Sequence, residues 1–274
     1  MKKYENIASP IGIFDSGMGG LTVAHAVSKL LPNENILYFG DTLHTPWGDK
    51  SVAAIQGYAA KICTFLLEQQ CKAILIACNT ASAVAYSVAK ELVKEKALLL
   101  NVIDPVIAHI QENYADQRIG LIGTKQTIRS NAYKERINAL DKQLELVSLA
   151  TPLFVPLIEE GYAGSPVAKT VIQDYLGNAS LKEINALILG CTHYPLIKSA
   201  ITNYYQHKIE VIDSAELAAK ALKMALIEEN LLNKNTKTEP QHAFYISDNN
   251  EFFLNLAQLF FTESVQVERC PLWD

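Results

Sequence analysis

No apolar run in this chain approaches the ~18 residues needed to cross a membrane as a helix. No apolar signal core follows the basic opening Met1-Lys2-Lys3 either, which argues against a secretion signal. Positive charge is short: 24 Lys and Arg stand against 29 Asp and Glu, for a net charge of -5. Neither nucleic acid nor an anionic membrane is therefore an expected partner. Cysteines are few and odd in number, five at positions 63, 71, 78, 191 and 270. Their spacing has no disulfide-framework or zinc-ribbon rhythm, so no metal site is expected. The glycine-rich stretch Asp15-Ser16-Gly17-Met18-Gly19-Gly20 lacks the Gly-Lys-Ser/Thr of a phosphate-binding loop and the spacing of a dinucleotide fingerprint. No local motif marks a lysine as a pyridoxal anchor, and no cofactor is expected. These absences leave a reduced, cytoplasmic, soluble protein.

What is present is a repeated arrangement. Two apolar runs, Ala73-Ile74-Leu75-Ile76-Ala77 and Ala186-Leu187-Ile188-Leu189-Gly190, each end in a thiol followed by small hydrogen-bonding residues: Cys78-Asn79-Thr80 and Cys191-Thr192-His193. Upstream, Ile11-Gly12-Ile13-Phe14-Asp15 and Ile119-Gly120-Leu121-Ile122-Gly123 stand at nearly the same distance before each thiol. Comparable elements in one order at one spacing are the mark of a duplication. A thiol at the carboxyl end of a buried α/β strand sits where such folds place their ligands. Two thiols presented by two related halves suit the movement of a proton from one face of a carbon to the other.

At 274 residues and 49% apolar, the chain can bury one or two globular cores. Strand patterns fall at 10–14, 35–39, 73–77, 98–103, 118–122, 145–149, 186–190 and 209–212. Helical patterns lie between them, at 20–31, 51–70, 81–96, 105–114, 126–140, 165–178 and 194–205. Such alternation predicts an α/β protein: two pseudosymmetric domains, each a mainly parallel sheet flanked by helices, with the active site in the cleft between them. The expected division is 1–104 plus 215–274 for the Asp15/Cys78 half and 105–214 for the Cys191/His193 half. After a helical pattern to about residue 232 and a polar linker at 233–240, a short strand at 242–246 and an apolar helix at 250–261 close the chain. This tail is too short for a core of its own and is expected to pack on the first domain.

Each candidate residue has a plainer alternative. An unpaired cysteine is most often a small buried hydrophobe, and Cys63, Cys71 and Cys270 are assigned that role. Cys78 and Cys191 stand apart because both end strands in matched frames. Asp15 can orient a thiol or accept its proton, or simply cap its turn. His193 can assist proton transfer near neutral pH. Glu159 and Glu160, after Phe154-Val155-Pro156-Leu157-Ile158, face either a cleft or solvent. Ser16, Asn79, Thr80, Thr192 and the backbone amides of the glycine-rich turn are neutral donors suited to a small carboxylate.

With these segments in view, the sequence resembles glutamate racemases of the aspartate/glutamate racemase superfamily. The resemblance rests on Gly12–Gly20, Tyr38-Phe39-Gly40-Asp41, Thr45-Pro46-Trp47-Gly48, Ala77-Cys78-Asn79-Thr80-Ala81, Phe154–Glu160 and Leu189–Pro195. It implies cofactor-independent interconversion of L- and D-glutamate, supplying D-glutamate for peptidoglycan. By motif match Cys78 and Cys191 are the two bases, serving the D and L enantiomers respectively. Asp15 and His193 assist them, and the family's glutamate maps to Glu159, with Glu160 as the one-residue alternative. Asp15-Ser16, Trp47-Gly48, Asn79-Thr80 and Thr192-His193 match substrate-binding pairs. Two residues depart from the pattern: Trp47 replaces the usual tyrosine, and His44 stands where arginine is common. A homodimer is left open as the assembly. The competing expectations are an aspartate or related racemase, a cysteine hydrolase with Cys78 as nucleophile and His193 as base, and a ligand-binding protein without chemistry.

Overall fold

The structure, a computed structural model, describes residues 6–140, 143–236, 239–249, 251–261 and 265–274. The basic opening (residues 1–5), part of the polar linker (237–238) and the first residue of the C-terminal helix pattern (250) lie outside the described residues.

The apolar runs form strands β1 (Ile11–Asp15), β2 (Ile36–Gly40), β3 (Ala73–Ile76), β4 (Leu98–Asn101), β5 (Arg118–Gly123), β6 (Glu145–Ala150), β7 (Ala186–Gly190) and β8 (Glu210–Asp213). The tail adds β9 (His242–Ile246) and β10 (Val267–Arg269). They assemble into two sheets, β10-β9-β2-β1-β3-β4 and β6-β5-β7-β8, in which every pairing is parallel. Parallel sheets need helices on both faces, and their strands then read as continuous apolar runs. Side-chain alternation sorts these runs to opposite faces. Ile11, Ile13, Tyr38, Ala73 and Leu75 enter one core, under helices Leu21–Leu30 and Ser214–Glu228. Phe14, Phe39, Ile74 and Ile76 enter the other, under helix Val52–Glu68.

The two sheets repeat each other in register. Ile11 pairs with Ile36 and Ala73, and Ile119 pairs with Leu146 and Ala186. Counting forward from these pairs makes Cys78 the counterpart of Cys191, Asn79 of Thr192, and Ser16 of Thr124. The order β2-β1-β3-β4 recurs as β6-β5-β7-β8, so both sulfurs follow the third strand of their sheet. The tail strands extend the first sheet, β9 lying against β2.

Several elements differ from the sequence pattern for local reasons. The 81–96 pattern is two helices, Asn79–Val84 and Tyr86–Val93, meeting at Ala85. The 126–140 pattern breaks where Asn131 takes a left-handed φ of 56°. The 98–103 run ends as a strand at Asn101, whose Oδ1 accepts the Ile103 and Asp104 amides and turns the chain into the next helix. The 194–205 pattern opens as a 3-10 turn, Tyr194–Ile197, before helix Lys198–Tyr204. Phe154–Glu159 is helical, its Pro156 tolerated because the first turn has no intrahelical N–H bonds to lose.

A buried ion pair ties the ends of the first half together. Lys72 Nζ lies 2.6 Å from Glu34 Oε2 and donates to the Leu231 carbonyl at 2.9 Å, while Glu34 Oε1 accepts the Asn233 amide at 2.8 Å. Both side chains are buried. Glu34→Ala leaves the ammonium without its counterion and is expected to cost about 3–5 kcal/mol. Urea unfolding checks this, and a loss below about 1 kcal/mol contradicts a paired role.

Candidate active site

The carboxyl ends of β1, β3 and β7 meet at one small cavity. Beyond β3 the chain stays extended through Cys78, which caps helix Asn79–Val84 by accepting the Ala81 amide on Sγ at 3.5 Å. Ser16 Oγ lies 3.6 Å from the same sulfur. Beyond β7 follow Cys191, Thr192 and His193, and His193 Nδ1 lies 3.8 Å from Cys191 Sγ. Ser16, Trp47, Gly48, Cys78, Asn79, Thr80, Cys191, Thr192 and His193 all line the cavity, bringing together residues that the sequence places far apart.

Asp15 and Glu159 sit behind this lining. Asp15 is fully buried; its carboxylate accepts the Gly17 amide at 3.0 Å and the Thr192 hydroxyl at 3.3 Å. Glu159 ends helix Phe154–Glu159, and its Oε1 is 2.9 Å from His193 Nε2. Glu160, the alternative in that segment, is exposed. The histidine is therefore held between a sulfur and a carboxylate. It pairs with Cys191 rather than Cys78, an arrangement that does not match the hydrolase expectation.

The two thiols stand in unlike fields. Burial pushes the Cys78 thiol up to about 12, and the neighbouring charges of Asp15 and Cys191 add to this against the Ala81 amide and Ser16 hydroxyl. Burial also disfavours the His193 imidazolium, but the hydrogen bonds and charges of Cys191 and Glu159 outweigh it and raise its pKa to about 10. His193 is thus a cation at neutral pH, next to one sulfur only. Cys63 and Cys71 are pushed up to about 12 by burial alone, as small hydrophobes of the core would be.

Apart from His193 the lining offers neutral donors, and no ammonium or guanidinium group among the described residues. Asn79 Oδ1 accepts the Tyr133 hydroxyl at 2.7 Å, leaving Nδ2 as a buried donor without a partner among the described residues. Such a donor carries a desolvation cost until an acceptor arrives. Thr80 Oγ1 lies 3.0 Å from Thr124 Oγ1 and 3.2 Å from Thr127 Oγ1. Thr124, Thr45, Pro46 and Val155 also line the cavity; Thr45, Pro46 and Val155 lie in recognised motifs that assign them no site role, and Thr124 lies outside those motifs. The repeat held the signal for Thr124, since it occupies the position of Ser16 in the second half. Among the described residues no group of three His, Cys, Asp or Glu is placed to hold a metal ion, and none of their helices is long and apolar enough to cross a membrane.

Glycine is required where the first turn meets the second half. A Cβ on Gly19 would lie 2.4 Å from Thr192 Oγ1 and 2.5 Å from His193 Nδ1. Gly19→Ala must displace one of these groups. It is expected to lower activity at least about a hundredfold, as other small displacements of reacting groups do, with little change in circular dichroism. Activity near the wild-type level contradicts the close approach.

Comparison with known proteins gives the family. The family model described as Asp/Glu/Hydantoin racemase matches residues 25–222. A glutamate racemase of Chlorobaculum parvum is 42% identical over 95% of this chain and 95% of its own length. That of Syntrophus aciditrophicus is 41% identical over 99% and 100%. The crystal structure of glutamate racemase from Francisella tularensis subsp. tularensis in complex with D-glutamate superposes with a TM-score of 0.89, at 39% identity over 97% of this chain and 99% of that one. Two thiols in register across one cleft, with near full-length likeness to these proteins, place the chain in the glutamate racemase family of the Asp/Glu/Hydantoin racemases.

Proposed function

We propose that this chain interconverts L- and D-glutamate by a two-base proton transfer between Cys191 and Cys78, without a cofactor, supplying D-glutamate for peptidoglycan in the cytoplasm. The observation that carries the reading is the pair of sulfurs at equivalent positions of the two repeats, both on one cavity. For L-glutamate, the Cys191 thiolate takes the α-proton while the Cys78 thiol gives its own proton to the opposite face. The products are D-glutamate, a Cys191 thiol and a Cys78 thiolate. D-glutamate runs the same steps in reverse. A single base would return its proton to the face it came from, so inversion needs both.

The α-carbon is a weak acid, and the developing charge needs stabilisation from fixed donors in a site without bulk water. Asn79 Nδ2, the Ser16 and Thr192 hydroxyls and the glycine-rich turn amides supply neutral donors for the carboxylates. His193, kept protonated by Cys191 and Glu159, offsets negative charge on the Cys191 side. Asp15 acts in the opposite sense near Cys78: its charge disfavours the thiolate and keeps that thiol protonated as the acid for L-glutamate, while its carboxylate fixes Thr192. The cavity measures about 20 Å³, room for about one water, so glutamate enters only when the cleft opens. The two moving units are residues 1–104 with 215–274, and residues 105–214.

The reading is tested by incubating the purified, reduced protein with L-glutamate, then with L-aspartate, after dialysis against a chelator. Ellipticity should decay to zero with glutamate and far more slowly with aspartate. A steady signal with glutamate from folded protein would remove the proposal. A faster decay with aspartate would reassign the substrate.

A further inference from the structure

Trp47 and His44, the two departures from the family motif, meet at one carboxylate. Asp41 follows β2 and is fully buried. It accepts Trp47 Nε1–H at 3.0 Å and the Ser247 hydroxyl at 2.8 Å, with His44 Nδ1 at 2.9 Å. Trp47 walls the cavity that holds both sulfurs; His44 does not. The His44 ring instead stacks on Tyr58, centroids 4.2 Å apart and planes 18° apart. Its other neighbour is Trp273, the penultimate residue, 4.7 Å away and edge-on at 90°. Trp273 also packs edge-on against Tyr58 at 5.5 Å and lies under Lys61 Nζ at 4.9 Å.

A continuous line of contacts therefore runs from the C-terminus through His44 and Asp41 to the wall of the site. Trp47 itself is buried, packed in the core under helix Val52–Glu68 with its ring 5.5 Å from Tyr58, so Tyr58 joins both ends of this line. Trp47 sits in a one-turn 3-10 segment, Trp47–Asp49, outside both sheets, where Gly48 approaches Thr124 of the other half. We infer that His44 and Trp273 are positioning residues that brace residues 41–48, and through Asp41 hold Trp47 in the orientation that glutamate meets. This rests on the racemase reading above. Without the brace, the Tyr58 stack and the Asp41 contact that set the Trp47 ring loosen, and part of their order must be regained each time substrate binds. That cost falls equally on bound substrate and transition state, so it raises KM and leaves kcat unchanged.

The test uses the full-length protein. Trp273→Ala should raise KM for both enantiomers about three- to tenfold, the scale of a lost aromatic pair, with kcat changed by less than about twofold. Trp273→Phe should restore KM. His44→Ala should act in the same direction, and the double variant should fall short of the product of the single effects, because both act through one line of contacts. A second readout needs no turnover: the chain has two tryptophans, so Trp273→Phe leaves Trp47 as the only indole. Adding His44→Ala to that variant should shift the Trp47 emission maximum. A wild-type KM in Trp273→Ala, a fall in kcat at constant KM, or an unmoved Trp47 emission overturns the brace. If the wild-type protein does not racemise glutamate, the racemase reading fails, and the emission shift still decides the brace.

Discussion

Cys78→Ser and Cys191→Ser are each expected to lower racemisation at least about a thousandfold, the upper range for loss of a positioned acid or base. Serine nearly matches cysteine in volume, so the buried positions stay filled and the fold should persist. A hydroxyl, however, is a far poorer proton donor and its alkoxide is inaccessible in a buried site. The account requires both variants to fail, because each thiol is the acid in one direction and the base in the other. Residual α-proton exchange should be confined to the L enantiomer in Cys78→Ser and to the D enantiomer in Cys191→Ser. Polarimetry with proton NMR reads both quantities. Retention of wild-type turnover in either variant would remove that sulfur from the chemistry.

His193→Asn should cost about a hundredfold in kcat/KM, within the range for a lost charge-assisting group. The L/D equilibrium constant is one in achiral solvent, so kcat/KM must fall equally in both directions. Only kcat and KM taken separately can reveal that His193 serves one sulfur. The pH profile gives a second check. With its pKa raised to about 10, His193 is protonated at neutral pH, and kcat/KM should fall as pH rises through about 10. Glu159→Gln removes one of the two partners that outweigh burial, so the upper limb should move to lower pH. The linkage has the same sign: a pKa raised from 6.5 to about 10 contributes stability that is complete below pH 6.5 and lost as pH climbs to about 10. An upper limb that stays in place in Glu159→Gln contradicts the role given to this pair.

Much of this site could be read from the chain because it depends on local pattern. A buried parallel strand is a continuous apolar run, so β1, β3, β5 and β7 stand out, and the residues just past their ends become candidates by position. The repeat of Ile-Gly starts and Cys ends anticipated two sheets of one topology. Other features depend on contacts between distant segments, which the motifs by themselves do not show. Thr124 reaches the cavity only through the register of β5 with β7, and Val155 through the packing of its helix. The Phe154–Glu159 helix carries a proline in its first turn and reads as an apolar segment; its orientation decides between Glu159 and Glu160. β10 has only three residues, with no apolar alternation to mark it, and it forms because β9 offers an open edge. Asp41 lies within a recognised segment, yet its link to Ser247 and Trp273 joins the β2 end to the last residues of the chain.

The central claim is that two different groups handle the proton on the two faces of the α-carbon. Starting from protiated L-glutamate in D₂O, with the protein reduced and no cofactor added, early time points should be followed by proton NMR and chiral separation. The account predicts D-glutamate carrying deuterium at the α-carbon while the remaining L-glutamate keeps its protium. Deuterium accumulating in unconverted L-glutamate as fast as in the D product, or D-glutamate retaining protium, would mean that one group serves both faces and would contradict the assignment of Cys78 and Cys191.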